Sequence, residues 1–585
     1  MNNFRRFFRF TTAFLLILCF ALPLFSQAGS NPNDRFYDAA SRWESLGLID
    51  KLPQFKPYPI ELIDSILKQV IRSYQISESE LALEFYEEIF GKKINIFAEG
   101  KGYGSVSTVE DAEKQIIGSA GVEGNLKFGE WLGFSYNLNF VGLTDYDKHV
   151  LPMYKSTDVD IAADPMSVKN IKLYANMNSV FSANVDDLYV SGGISRVGFG
   201  PLYNTSIVYS PDTMHTSYFS LMLKKKFWNY TQAIFTLGAT NNLGQTNSAT
   251  YIYPEKYMAL HSLDFYITPF LTFTYYENII FGERLELSYL FPVPYMIAQG
   301  IDGFRDNLQM GTGLRYYPAK GLKLTGDVFI DDISMNDLVK LHLDTKIKAA
   351  GQLGVEYVPQ NSIFTAIRAD VTAVTPWMYT HSQYYTDNNG KEVFASGKGV
   401  NYQNYSHFGQ CLATTLWPNS DRFHYEITIN PIKRLRIDFF SDFIRHANIN
   451  ESLPVDEAIL YLNAKSGEFR TDGSIFNYPD AGKGHLASAL NNFEHMEQAT
   501  KMYICQTGVG FSMSIPVNKY GILSFSVKDT LEYIKNWGVQ NEIYIPIEGG
   551  NATAEDVANA IKTWRDNIIP EVLNNYLQFS VKYMY

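Results

Sequence analysis

The sequence predicts an all-β transmembrane β-barrel of about 18 antiparallel strands behind a small N-terminal helical bundle. Three observations predict it: an export signal at the N-terminus, a period-two alternation that recurs along the rest of the chain, and a final strand that ends on an aromatic residue. In that last stretch Leu577, Phe579, Val581, Tyr583 and Tyr585 share one face, and Gln578, Ser580 and Lys582 the other.

The export signal occupies residues 1–28. Arg5, Arg6 and Arg9 precede an apolar core from Phe14 to Phe25, and Ser26-Gln27-Ala28 supplies small residues for cleavage after Ala28. Cys19 is not read as a lipoprotein cysteine, because bulky Leu18 precedes it and the apolar run continues from Phe20. No later segment offers the ~20 uninterrupted apolar residues of a membrane helix. The chain holds 40 Tyr and 40 Phe, and aromatics make up 15% of it, while its mean hydropathy is only -0.14. A barrel reconciles the two, since only the outward side chain of each strand pair must be apolar and interfacial belts recruit Tyr and Phe. The net charge is -12, and no Lys/Arg cluster follows the signal, which argues against nucleic acid as a partner. Beyond the signal only Cys411 and Cys505 remain, enough for one disulfide but not for a disulfide scaffold or a zinc site.

Residues 29–92 read as three short amphipathic helices, expected on the periplasmic side. The first, Phe36 to Ile49, carries Phe36, Ala39, Trp43 and Leu46 along one stripe. The second, Pro59 to Tyr74, has Ile60, Ile63, Leu67, Val70 and Ile71 at helical spacing and Pro59 in its first turn, where the missing N–H costs nothing. The third is expected to start at Ser77 with Glu80 completing a capping box, to bury Leu81, Phe85 and Ile89, and to stop at Gly91. Two roles remain open for this bundle: a cap with no task beyond folding, or a plug or docking module under the barrel.

Residues 93–585 read as the barrel. Strands are expected at 94–108, 116–129, 131–143, 171–186, 188–198, 216–228, 231–239, 258–268, 270–281, 308–318, 322–332, 347–358, 362–374, 421–430, 434–447, 502–516, 521–534 and 573–585. Tight turns such as Gly129-Glu130, Asn229-Tyr230, Pro318 to Gly321 and Val517 to Tyr520 follow every second strand, on the rim that holds both chain ends; the other rim takes the long connections. The apolar runs Leu285 to Phe291 and Phe408 to Leu416 would break that alternation as strands. Both are assigned to long loops, the lumen being the space open to them.

Charge placement gives the inside of the wall. In 434–443, Leu435, Ile437, Phe439 and Phe443 oppose Arg434, Arg436, Asp438 and Asp442; in 322–331, Leu322, Leu324, Val328 and Ile330 oppose Lys323, Asp327 and Asp331; in 363–371, Ile363, Ile367 and Val371 oppose Arg368 and Asp370. A charge facing lipid at mid-depth costs about 2–4 kcal/mol, so the ionic faces, with Asp327, Arg368, Asp370, Arg434, Arg436 and Asp438, are expected to line the lumen.

No catalytic set stands out, no metal-ligand spacing is present and no cofactor is expected. The 10 His are scattered, without an H-E-x-x-H or a nucleophile elbow, and the glycines of Gly198-Phe-Gly-Pro201 lie at a strand end rather than before a helix, which does not suit a phosphate cradle. The long loops are rich in aromatic and acidic residues. Carbohydrate sites use flat rings beside carboxylates and amides, which makes Trp377, Tyr379, Tyr402, Tyr405, His407 and Trp417 the candidate glycan-binding residues.

The leader segment Trp43-Glu-Ser-Leu-Gly-Leu-Ile49 with Pro57-Tyr-Pro59, the segment from Gly198-Phe-Gly-Pro201 to Ser210-Pro-Asp212, the run from Tyr275-Tyr-Glu-Asn278 to Phe281-Gly282 with Asp306-Asn307, and the stretch from Tyr405-Ser-His407 to Leu416-Trp-Pro-Asn-Ser-Asp421 together resemble the capsule assembly protein Wzi family. The resemblance implies an 18-stranded outer-membrane barrel, a periplasmic helical bundle under it, and a lectin-like role in holding capsular polysaccharide at the cell surface. Phe199 departs from the family pattern, where a Trp is expected, and the connections 448–501 and 535–572 look individual, the second with a helix from Thr553 to about Asn567 capped by Asp556. No binding residue carries over.

The expected function is therefore a non-enzymatic barrel that binds or organises surface polysaccharide, with porin-like or fatty-acid-type transport as the alternative. Expected partners are outer-membrane lipid, the polysaccharide and, through the C-terminal strand, the barrel assembly machinery. The long loops are expected to be extracellular.

Overall fold

The computed structural model describes residues 27–585 apart from 92, 146–149, 156–164, 203, 242–255, 303–305, 334–346, 361, 382–383, 387–391, 395–399, 433, 453–494, 518–520, 542 and 544–552. Residues 1–26 of the export signal thus lie outside the described residues, as do Asp147, Asp158, Asp160, Asp164 and most of the connection 448–501.

Eighteen antiparallel strands close a barrel: β1 (Asn95–Ser107), β2 (Glu113–Phe128), β3 (Leu132–Thr144), β4 (Ile171–Val185), β5 (Leu188–Ser195), β6 (Thr216–Lys224), β7 (Trp228–Leu237), β8 (Lys256–Thr268) and β9 (Leu271–Gly282) form one half. The other half is β10 (Asn307–Ala319), β11 (Leu322–Ile333), β12 (Ile347–Tyr357), β13 (Phe364–Val374), β14 (Ser420–Ile432), β15 (Leu435–Ala447), β16 (Lys501–Pro516), β17 (Ile522–Trp537) and β18 (Ile569–Met584). Each expected strand has its counterpart. One turn moves: β6 and β7 are joined through Lys225 to Phe227, not Asn229-Tyr230, because Asn229 already pairs with Lys224 in the ladder.

Closure is made by β1 against β18, from Phe97 opposite Met584 to Ser107 opposite Asn574. Tyr585 continues that ladder, exchanging backbone hydrogen bonds of 2.8 and 3.0 Å with Ile96. Leu577, Phe579, Val581, Tyr583 and Tyr585 are all exposed on the outer wall, while Lys582 turns inward to Glu123 at 2.9 Å. The short turns use left-handed backbone where the hairpin demands it, as at Gly129 (φ 65°) and Gly321 (φ 79°). A Cβ on Gly321 would meet the Val358 carbonyl oxygen at 2.4 Å.

Three helices sit on the short-turn rim: α1 (Arg35–Ser45), α2 (Ile60–Ile71) and α3 (Ile76–Phe90). Asp34 caps α1 by accepting from the Phe36 N–H at 2.9 Å, and the expected stripe Phe36, Ala39, Trp43 and Leu46 is buried. Pro59 precedes α2, its carbonyl accepting from Leu62 and Ile63 at 3.0 Å. The capping box expected at Ser77 and Glu80 does not form: α3 begins a residue earlier, after Gln75, and both side chains are exposed. Nor does Gly91 end α3 in the left-handed conformation; its φ is -69°. The bundle is anchored to the turns by Asp64 to Lys127 at 2.6 Å and by the Gly321 N–H to the Ser45 carbonyl at 2.7 Å.

The two apolar loop runs go to opposite sides of the wall. The second folds inward, where Tyr405, Leu412, Ala413 and Leu416 join one core with Tyr209, Phe235, Phe329 and Tyr379. The first folds back over the outside, with Tyr289 and Tyr295 packed on Ala259, Ile279 and Phe281. That outer loop contains helix α4 (Tyr295–Asp302); near the C-terminus, α5 (Ala554–Asp566) carries the expected capping box of Thr553 and Asp556.

Candidate functional site in the lumen

The lumen is filled from the short-turn end by the leader. Phe55–Lys56 pairs antiparallel with Gly198–Phe199 of the β5–β6 connection, and the Phe55 ring packs on Tyr218 and Phe235 of the wall. One face of α1 carries Asp38, Ser41, Glu44 and Ser45, and meets basic and acidic residues that alternate inward along β10 to β15. Asp38 accepts from both Arg368 and Arg436. Ser45 donates to Glu356 at 2.6 Å, which is also held by Lys323 at 3.2 Å and Arg368 at 2.8 Å. Burial works against the ionised Asp38, but the Arg368 and Arg436 guanidinium groups outweigh it and hold the carboxyl well below the usual range. Glu44 is lowered in the same way, with Arg315 and Lys323 overcoming burial.

Of the residues expected to line the lumen, Asp327, Arg368, Asp370, Arg436 and Asp438 face inward. Asp327 accepts from the Tyr276 hydroxyl at 2.8 Å, Asp370 from Arg422 at 3.0 Å, and Asp438 from Arg436 at 2.8 Å. Arg434 is the exception. It lies in the β14–β15 turn with φ 70°, so it sits on the rim rather than the wall.

Opposite the leader, the lumen keeps a polar cavity of about 650 Å³, bounded by β1 and β14 to β18 and by the loop segments 151–155 and 204–212. Arg422, His424, Glu426, Arg436 and Asp438 project into it from β14 and β15, Lys528 from β17, and Tyr103 and Phe440 supply ring faces. Its floor is Asn33 of the leader, which donates to the Pro211 carbonyl at 2.9 Å and to Asp212 at 3.2 Å. Burial raises the Asp212 carboxyl above its usual range. Lys155 reaches down to Asp442 at 2.7 Å, and the Met153 N–H donates to Glu532 at 2.9 Å, so the β3–β4 connection is tied into the cavity. Arg422 Nε and His424 Nε2 have no hydrogen-bond partner in the protein. His424 Nδ1 lies 2.8 Å from Asp442 and donates to it, so Nε2 is the acceptor nitrogen of the neutral ring; a guanidinium N–H and an imidazole nitrogen without hydrogen bonds suit a polar ligand.

The six aromatic and histidine candidates are placed less simply. Trp377, Tyr379, Tyr402, Tyr405 and His407 are buried, with Tyr379 and Tyr405 stacked at 5.6 Å. His407 accepts from the Gly238 N–H at 2.8 Å, and burial pushes it down to about 4, keeping it neutral. These five hold the inward-folded loop in place, and a stacking platform open to solvent is not what they form. Only Trp417 keeps an exposed face, at 39%; its ring meets Tyr154 edge-on at 5.2 Å, and Thr415 beside it donates to the Tyr154 carbonyl at 2.5 Å, so it stands at the edge of the cavity. Arg422, His424 and Lys528 were missed in the sequence, although Arg422, His424 and Glu426 alternate with Phe423, Tyr425 and Ile427 as an inward face should.

Neither a family model nor a curated protein matches the chain. Among solved structures, OprD of Pseudomonas aeruginosa is 9% identical with TM-score 0.38, covering 84% of this chain and 95% of that one, and OccK8 (OprE) of the same organism is 9% identical with TM-score 0.42, covering 85% and 98%. Wzi of Escherichia coli, described as an outer-membrane protein involved in group 1 capsule assembly and a carbohydrate-binding β-barrel, is 12% identical with TM-score 0.51 over 95% of this chain and 99% of that one. The chain therefore has the fold of an outer-membrane β-barrel and resembles Wzi along nearly its whole length.

Proposed function

We propose that this protein is a non-enzymatic, lectin-like barrel of the outer membrane that holds a stretch of surface polysaccharide, capsule-like in kind, in the lumenal cavity. The observation that carries it is the cavity itself. Its volume of about 650 Å³ falls among small-ligand sites of ~300–1,000 Å³, and it sets a guanidinium N–H of Arg422 and an imidazole nitrogen of His424, both without hydrogen bonds, beside the rings of Tyr103 and Phe440, the combination that pairs sugar hydroxyls and covers their C–H faces. The likeness to Wzi supports the same ligand class. In this reading the helices are periplasmic, the long loops extracellular, and β18 with its terminal Tyr585 is the segment read by the barrel assembly machinery. The alternative is a solute channel, for which the leader across the lumen would have to move.

Retention of purified capsular-type oligosaccharides by the folded protein tests the proposal. Binding that is lost in Arg422→Ala and kept in a variant of the outer wall such as Phe439→Leu is expected. Large steady conductance in planar bilayers without any oligosaccharide retention would replace it with the channel.

A further inference from the structure

The β9–β10 connection, over its described residues 283–302, lies on the outer wall. Inward positions on β9 are those of Thr272, Thr274 and Tyr276, since Thr272 stands opposite Arg315; Glu277 therefore faces out. It stands opposite His261 of β8, which in turn stands opposite Gln232 of β7. All three are polar, near the middle of their strands, on the face that should be apolar, yet each is buried. What buries them is the connection. Tyr295 donates its backbone N–H to Glu277 at 2.5 Å, stacks on His261 at 4.2 Å, and accepts from Gln232 at 2.7 Å through its hydroxyl. Glu277 also meets His261 Nε2 at 3.0 Å. At the rim the ends are clamped, Arg284 to Asp306 at 2.8 Å and the Tyr289 hydroxyl to Asp306 at 2.8 Å.

The other side of the flap is apolar. In α4, Tyr295, Ala298 and Gln299 face the wall, and Met296, Ile297 and Ile301 face away. Together with Leu287 and Phe291 they are exposed by 49–81%. The outer wall is apolar too, four residues towards the short turns from Glu277, where Phe265 and Leu314 stand exposed on either side of Phe273.

We propose that this connection is a membrane-immersed flap: its outward side chains sit among the acyl chains of the bilayer, and its inward side chains hide the Gln232, His261 and Glu277 cluster from them. A carboxylate and an imidazole at mid-wall are penalised when they face lipid, and a polar-inside, apolar-outside cover removes that exposure without changing the strands. The proposal rests on the reading of the barrel as membrane-spanning.

Spin labels at Ile297→Cys and Ile301→Cys test it, in the chain with Cys411→Ala and Cys505→Ala reconstituted into phosphatidylcholine vesicles, with Leu314→Cys as a label on the wall itself. Collision rates with oxygen, which concentrates among acyl chains, are compared with those of a water-soluble nickel chelate. The two flap labels are expected to favour oxygen as strongly as the Leu314 label. If Leu314 favours oxygen while the flap labels favour nickel, the flap lies in water and the proposal is overturned; shielding of the flap labels from both reagents, as a second copy packed on them would give, overturns it too. If Leu314 favours nickel, the membrane-spanning reading has failed and the flap falls with it.

Discussion

Glu44 of α1 accepts a hydrogen bond from Arg315 Nη1 of β10 at 3.1 Å, and both side chains are 3% exposed. Removing one partner of a buried ion pair leaves the other charged and unpaired, at about 3–5 kcal/mol. In Glu44→Ala, Arg315 keeps the Leu52 carbonyl at 2.8 Å but has only Asp264, at 4.0 Å, as a carboxylate neighbour. The leader is therefore expected to undock in that variant, read as protease cleavage within residues 29–92 and as intermittent openings in planar bilayers where the parent protein is silent. Silence with unchanged protease resistance would show that the plug is held by something else.

The same docking has an acid limit set by Asp38. Its carboxyl titrates lower in the folded protein than the ordinary value of 3.8 because Arg368 and Arg436 outweigh its burial. A depressed folded value contributes stability above the unfolded one and loses it as pH falls below. The contribution of Asp38 to α1 protection in hydrogen exchange is expected to be flat from neutral pH down to about pH 4 and to fall below that. In Asp38→Asn this part of the acid limb disappears, with lower protection throughout.

Glu88 of α3 runs the other way. Burial lifts it from 4.5 to about 7, against the pull of Arg35. A raised folded value makes its contribution complete below pH 4.5 and weaker as pH rises through 7. Exchange of α3 amides is thus expected to quicken between pH 5 and 8 beyond the intrinsic pH effect, and Glu88→Gln to flatten the profile. A profile unchanged by that substitution would remove Glu88 as the cause.

Cys411 and Cys505 are both free, on opposite sides of the wall. Cys411 is in the inward-folded loop, where burial pushes its thiol up to about 12; Cys505 is exposed, opposite Phe443 on the outer face. A membrane-permeant maleimide is expected to label one thiol per folded mature chain and two after denaturation. Two labels on the folded protein would show the inner loop to be open.

The barrel was legible because its rule is local. Alternation along a strand fixes which residues face in, and Lys323, Asp327, Arg368 and Asp438 had to turn inward whatever the rest of the chain did. Which side of the wall a loop covers is not local. Leu285 to Phe291 and Phe408 to Leu416 are equally apolar, yet one lies outside and the other inside. The clue to the first was in the strands beneath it: Gln232, His261 and Glu277 put polar groups on an outward face, which a cover must answer. Tyr379 and Tyr405 looked like ligand-binding rings for a related reason, since an aromatic loop residue reads the same whether it packs against the protein or a sugar. Trp417 differs only in where its neighbours end.

Lys528 gives the cavity its most direct test. Its Nζ lies 4.4 Å from the centre of the Phe440 ring, and both border the cavity. A hydrogen bond from a charged donor to a bound sugar contributes about 1.5–3 kcal/mol, so Lys528→Ala is expected to weaken oligosaccharide binding by roughly tenfold or more. Ser526→Ala, two residues along the same inward face and without charge, should change it by less. If the ligand is acidic, overall binding weakens as salt rises through about 0.15 M, where charges further apart than ~8 Å are screened, while the close Lys528 contact is screened much less; if it is neutral, salt leaves binding in place. Equal affinity in the parent and Lys528→Ala proteins would take the ligand out of this cavity and move attention to the exposed face of Trp417.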